Sequence, residues 1–140
     1  MKKRILLLIA LIALVTCLFC GCKSNPDKNI KADSSASFFT TDLGEGKNKF
    51  TFVVTDADGN QKAFNISTNK TIVGDALKEH NLISGEEGEF GLYVKTVDGK
   101  TYDYNKDGKY WAFYINGEYA TTGVDKTQIN KDDTYMFKVE

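Results

Sequence analysis

The sequence predicts an α+β domain, a small mixed sheet of several short strands packed on one short helix. Three observations carry this. Segments of alternating apolar residues recur from about Lys49 to Glu140. Asp58-Gly59, Asp98-Gly99 and Asn116-Gly117 stand between such segments, and these pairs favour the positive φ of tight hairpin turns. One stretch, "TIVGDALKEHNLI", changes to helical spacing.

Taken in order, "KFTFVVT" places Phe50, Phe52 and Val54 on one face, the period of a half-buried strand. "DADGN" then supplies turn chemistry, and "QKAFNIS" returns as a second strand with Phe64 and Ile66 inward. Thr71 is expected to cap a helix whose buried side carries Ile72, Ala76, Leu77 and then Leu82 or Ile83, with Gly74 weakening its first turn. "SGEEGEFG" reads as a polar loop with an acidic cluster at Glu86, Glu87 and Glu89. "LYVKTV", "KTYDY", "KYWAFYI" and "TYMFKVE" read as the remaining strands. Two strands, a helix and further strands bury their apolar faces in one core when the sheet wraps the helix, which is the β-grasp type of α+β layer.

The folded domain is expected over residues 49–140. Before it, residues 22–48 are polar and small, contain the only proline, and lack periodicity apart from Phe38 and Phe39, so they read as a flexible tether. Residues 1–21 have the build of a signal peptide: Lys2, Lys3 and Arg4 precede an apolar run from Ile5 to Phe19. All three cysteines, Cys17, Cys20 and Cys22, fall at its end, which leaves no disulfide framework for the domain. "LFCGC" (Leu18–Cys22) resembles a bacterial lipobox, and the resemblance makes Cys22 the lipidated residue. The expectation is an extracytoplasmic domain held at the bacterial membrane by that anchor alone.

Composition narrows the function. The formal charge of the 140 residues is −1, and no basic run follows the first four residues, so nucleic acid is not an expected partner. His80 is the only histidine, which removes histidine-based metal sites and triads. There is no Cys–His pair, no phosphate-binding glycine loop and no paired carboxylate on a recognisable scaffold, and the protein is not expected to be an enzyme.

Two stretches carry candidate chemistry. Asp103-x-Asn105-x-Asp107-Gly108 is the first half of a calcium loop, but Tyr114 stands where an EF-hand needs its bidentate glutamate. Asp103, Asn105 and Asp107 would need a carboxylate from elsewhere, such as Asp98 or Asp125, to hold calcium; the same residues also suit a plain turn. In "KYWAFYI", alternation sends Trp111, Phe113 and Ile115 to one face and Tyr110, Ala112 and Tyr114 to the other. The first set is the expected core face. The second, with Tyr119 beyond the turn, is either a ligand platform or the cover of an open sheet.

The run "YWAFYINGEYATTGVDKTQINKDDTYMFKV", with "TIVGDALKEHNLI" upstream, resembles the C-terminal β-domain of transcobalamin and intrinsic factor and the small bacterial lipoprotein domains built like it. The resemblance spans about Phe50 to Glu140. It implies a non-enzymatic, soluble-ligand-binding β-grasp domain, with cobalamin-type corrinoids as ligand class and no required cofactor. It also implies that Tyr110, Trp111, Tyr114, Gly123, Val124 and Asp125 face the ligand. In the eukaryotic carriers this domain forms one wall of the site, so a membrane transporter or a second binding protein is the expected partner. The rival expectation is a structural or adhesive surface module, calcium-stabilised, that binds protein or polymer.

Overall fold

The structure, a computed structural model, describes residues 40–140. The predicted signal peptide, Cys22 and most of the predicted tether lie outside the described residues. Their C-terminal neighbour is already strand: β1 (Thr40–Leu43) falls inside the segment 22–48 and pairs in parallel with β3 (Gln61–Thr68), Thr40 opposite Ala63 and Leu43 opposite Ile66. Four residues with only Leu43 turned to the core give too little apolar alternation to be read as a strand from sequence, yet a parallel edge needs no more.

The described residues form a sheet-dominated α+β fold. β2 (Asn48–Thr55) and β3 make the expected antiparallel hairpin around Asp56–Asn60. α1 (Val73–Glu79) follows, then β4 (Ile83–Gly88), β5 (Gly91–Val97), β6 (Lys100–Thr101), the single-turn α2 (Tyr104–Asp107), β7 (Trp111–Ile115), β8 (Glu118–Tyr119) and β9 (Thr134–Val139). Strands β1-β3-β2-β9-β7-β8 build a six-stranded sheet in that order, with β2 and β9 parallel at its centre. A second, three-stranded sheet runs β4-β5-β6.

That second sheet corrects the expectation of a single one. β4 occupies most of "ISGEEGEFG", where Ile83 alone is buried and every later strand residue is exposed, so hydrophobic alternation was absent from the sequence. Conversely, "KTYDY" yields only a two-residue strand, because Asp103 caps α2: its carboxylate accepts from Asn105 N at 3.0 Å, and Gly108 closes the turn in the left-handed region.

The core forms as the periodicities require. Phe50, Phe52 and Val54 from β2, Phe64 and Ile66 from β3, Trp111 and Phe113 from β7, and Tyr135, Phe137 and Val139 from β9 enclose Val73, Ala76 and Leu77 of α1. Tyr135 sits at the centre, fully buried, with its ring edge-on to Phe50 at 5.3 Å and stacked with Phe113 at 6.3 Å. Its hydroxyl accepts from Asn130 N at 3.0 Å and donates to Gln128 O at 3.1 Å, which satisfies the one polar group carried inward.

The helix start differs from the expected Thr71 cap. Ile72 is the N-cap residue and offers no side-chain oxygen. The free N–H groups of the first turn are taken by the loop before β9: Val73 N donates to Thr127 O and Gly74 N to Val124 O, both at 2.9 Å. Gly74, which weakens the helix by propensity, permits this contact, since a Cβ there would lie 2.9 Å from Val124 O and 3.0 Å from Asp125 Cα. The "GVD" loop is thereby fixed to the helix by backbone alone.

The hairpin tips of the two sheets are joined by charge. Asp56, nearly buried in the β2–β3 turn, accepts from Asp58 N, Asn60 N and the Asn60 side chain, and pairs with Lys100 of β6. Lys62 pairs with Asp98 in the same seam. The Lys100 ammonium, helped by the Asn60 and Asp58 donors against the effect of burial, lowers the Asp56 carboxyl from 3.8 to about 2. A folded value below the unfolded one means stability that is present above about pH 4 and is lost as the pH falls through 2. Asp56→Asn is therefore expected to cost roughly 1–2 kcal/mol at neutral pH, Lys100 being half-exposed, and to flatten the acid limb of a stability–pH curve measured by urea unfolding.

Candidate functional site

Where β7 and β8 part, a cleft opens beside the second sheet. Its volume is about 410 Å³. β5 supplies Leu92, Tyr93 and Val94, β7 supplies Trp111 and Phe113, and the segment leaving β8 supplies Ala120 to Val124. Phe90, Tyr110 and Tyr119 stand at its mouth. Phe90 is 86% exposed and Tyr119 59%, a large amount of aromatic surface in water for so small a domain.

Of the residues singled out from sequence, Tyr110, Trp111, Gly123 and Val124 line this cleft. Trp111 is 5% exposed and belongs to the core face, as alternation required, but it also lines the cleft. Its indole N–H donates to Lys100 O at 3.1 Å, and Tyr102 packs edge-on at 5.4 Å. Val124 is buried, its carbonyl held by Gly74 N. Tyr110 lies beside Tyr104, ring centroids 6.2 Å apart, and the Tyr119 hydroxyl, ahead of burial and the charge of Glu140, pushes its phenol up.

Tyr114 and Asp125 are not brought into the cleft. Tyr114 follows Phe113 on the strand and so points to the opposite face, where its hydroxyl donates to Glu140 Oε1 at 2.8 Å and its ring meets Tyr119 edge-on at 5.5 Å. That carboxylate raises the Tyr114 phenol. Asp125 turns its carboxylate into a notch between Gly91 and Gly123; Gly91 has φ +115°, and a Cβ there would lie 2.6 Å from Asp125 Oδ2. Asp125 Oδ1 is buried in this notch without a hydrogen-bond partner.

The Asp103–Asp107 stretch is a capped helical turn. Asp103 accepts from Asn105 N and pairs with Lys95 at 3.0 Å, and the Lys95 ammonium, ahead of the Asn105 donor, holds its carboxyl below the usual range. Asp107 Oδ2 accepts from Asp103 N at 2.8 Å. Asn105 and Asp107 are exposed. Asp98, an expected extra ligand, pairs with Lys62 instead. Among the described residues no group of three or more His, Cys, Asp or Glu side chains is placed to hold a metal ion.

Sequence reasoning missed Phe90, Leu92 and Tyr93. Phe90 had a signal, an isolated large aromatic in an otherwise polar, glycine-rich segment. Leu92 and Tyr93 had none, because any strand of that composition could have buried either.

This fold is shared by solved structures, among them these two. The crystal structure of a "putative metal binding protein" from Ruminococcus gnavus ATCC 29149 aligns at 30% identity with a TM-score of 0.63, covering 67% of this chain and 97% of that one. Haptocorrin in complex with Cbi aligns at 18% identity and a TM-score of 0.54, covering 66% of this chain and 25% of its own, a likeness of fold. No curated protein matches the chain. Residues 70–140, which hold α1, the cleft and the closing strand, match the family model described as "Domain of unknown function (DUF4430)", and the protein belongs to that family.

Proposed function

We propose that this protein is a non-enzymatic binding module, held outside the cytoplasmic membrane through lipidated Cys22, that captures a soluble corrinoid-type ligand in the cleft between β5, β7 and the 120–124 segment. The observation that carries the reading is the convergence of Tyr110, Trp111, Gly123 and Val124 with exposed Phe90, Tyr93 and Tyr119 around one cleft of about 410 Å³. Aromatic walls with few charges suit a flat, largely apolar ring. A strand order of β3-β2-β9-β7-β8 with the two central strands parallel supports a β-grasp reading of the fold, and with it this function. So does the shared fold with haptocorrin, a protein crystallised in complex with Cbi. A corrin ring exceeds the cleft, so its rim enters while its other face is left for a second wall, which a transporter or partner binding protein supplies.

The rival reading is a calcium-stabilised surface module that binds protein or polymer. It draws on the R. gnavus description, while the Lys95–Asp103 pair and the internal bond of Asp107 weaken the calcium turn it needs.

Titration of the purified chain from Lys23 onward with cobinamide and cobalamin, followed by tryptophan fluorescence, tests the proposal. Saturable binding is expected, and Tyr119→Ala, a change at an exposed ring, should weaken it about tenfold with no loss of thermal stability. Absence of corrinoid binding, together with a calcium-dependent rise in Tm that Asp107→Ala abolishes, would replace this reading with the rival.

A further inference from the structure

The wall of the cleft is an unpaired strand edge, and its direction can be fixed from the ladder. Tyr110 and Glu140 exchange both backbone hydrogen bonds at 3.0 Å, so in the β7–β9 ladder the next pair, Trp111 opposite Val139, is a non-hydrogen-bonded one. The alternation continues consistently: Phe113, opposite Phe137, has its carbonyl free to turn the other way, and there it accepts from Ala120 N at 2.9 Å. On that outer side β8 pairs only with Tyr114 and Ile115, and no strand of the described residues pairs with Trp111 there. After Ala120 the chain leaves β7 to reach α1, where Val124 O meets Gly74 N.

The fork between these two paths is the cleft. Along its β7 side the backbone therefore presents Trp111 N–H, Trp111 C=O and Phe113 N–H in sequence, a donor, an acceptor and a donor. A buried or half-buried edge of this kind is unfavourable unless something completes it.

Resting on the small-molecule reading above, we infer that the cleft selects ligands bearing carboxamide groups over their carboxylate counterparts, because the free Trp111 C=O and Phe113 N–H form a ready partner for one amide. An amide donates its N–H to Trp111 C=O while its oxygen accepts from Phe113 N–H; a carboxylate offers acceptors only and sets one of them against the Trp111 carbonyl. Sites built on such pairing reject the analogue that lacks the donor more strongly than apolar contact alone can. The aromatic walls supply area, and the strand edge supplies the choice between chemically similar ligands.

The test is a ¹⁵N NMR titration of the full chain in detergent micelles with four probes: cobinamide, whose periphery is amidated; cobyrinic acid, its carboxylate counterpart; and propionamide and propionate, each at high concentration. Cobinamide is expected to bind at least tenfold more tightly than cobyrinic acid. Cobinamide and propionamide are each expected to move the Phe113 amide proton downfield, and propionate to leave it in place. If no corrinoid binds but propionamide still shifts Phe113, the corrinoid assignment falls and the amide selection stands. Equal affinity for the amidated and carboxylate corrinoids, or a Phe113 amide unmoved by every amide probe, overturns the inference.

Discussion

Tyr135→Ala is expected to cost about 4 kcal/mol, enough to leave little folded domain at 37 °C, while Tyr135→Phe costs about 1–2 kcal/mol. The two numbers separate two roles. The ring is fully buried and touches Phe50 and Phe113, so its removal opens a cavity at the point where β2, β7 and β9 meet. The hydroxyl accepts from Asn130 N and donates to Gln128 O, so its removal alone takes the acceptor from one part-buried backbone donor at the start of the turn that leads into β9. Urea unfolding of both variants checks the difference. Equal losses for the two would mean that the hydroxyl network, and not the ring, holds this centre. For a domain of about this size each kcal/mol lowers Tm by roughly 4–8 °C, so even the phenylalanine variant is resolvable by calorimetry.

Trp111→Ala should lower stability by about 3–4 kcal/mol, and Trp111→Phe by about 1–2 kcal/mol. Trp111 is 5% exposed in the core cluster, and its indole N–H ties β7 to Lys100 O in the second sheet. The alanine variant loses both the packing and the tie; the phenylalanine variant keeps most of the packing and leaves the Lys100 carbonyl without the indole donor. Guanidinium unfolding followed by circular dichroism reads both changes, since the fluorescent group is the one removed. A Trp111→Ala protein with wild-type stability and lost ligand binding would overturn the core assignment and make the ring a contact residue only.

Much of the fold was legible. The strands with clean alternation, β2, β3, β7 and β9, and the helix between them lie where "KFTFVVT", "QKAFNIS", "KYWAFYI", "TYMFKVE" and "TIVGDALKEHNLI" put them. The elements that escaped share a physical cause: they are held by neighbours more than by their own apolar faces. β1 is four residues paired on one side, β4 buries only Ile83, and α1 starts on carbonyls from a loop some fifty residues downstream instead of on a side-chain cap. No local pattern encodes a partner that distant.

The site was legible to the extent that it lies on β7. Tyr110 and Trp111 were singled out because strand period and resemblance both pointed there, Gly123 and Val124 because the resemblance did, and the four line one cleft. Tyr114 was assigned to the ligand by the same resemblance, but its hydroxyl is engaged by Glu140 and it does not line the cleft. Asp125 was misplaced for a different reason. Its backbone follows Val124 at the cleft, but the missing side chains of Gly91 and Gly123 give its carboxylate somewhere else to go.

The position of β1 determines how the domain would behave under tension. It is one edge of the six-stranded sheet, and β8, beside the cleft, is the other. At about 4.8 Å per strand step, the point where the chain enters the sheet and the point where ligand enters it are separated by roughly 24 Å. With an anchor at Cys22, as proposed, any pull from the cell surface is delivered to β1 and runs first through its parallel pairing with β3, a seam of four paired residues at the edge of the sheet. That strand can peel away and lengthen the leash while β7, β9 and the cleft keep their shape. Under the proposed anchoring, such a domain would yield at one border of its sheet and leave intact the other, which carries the cleft.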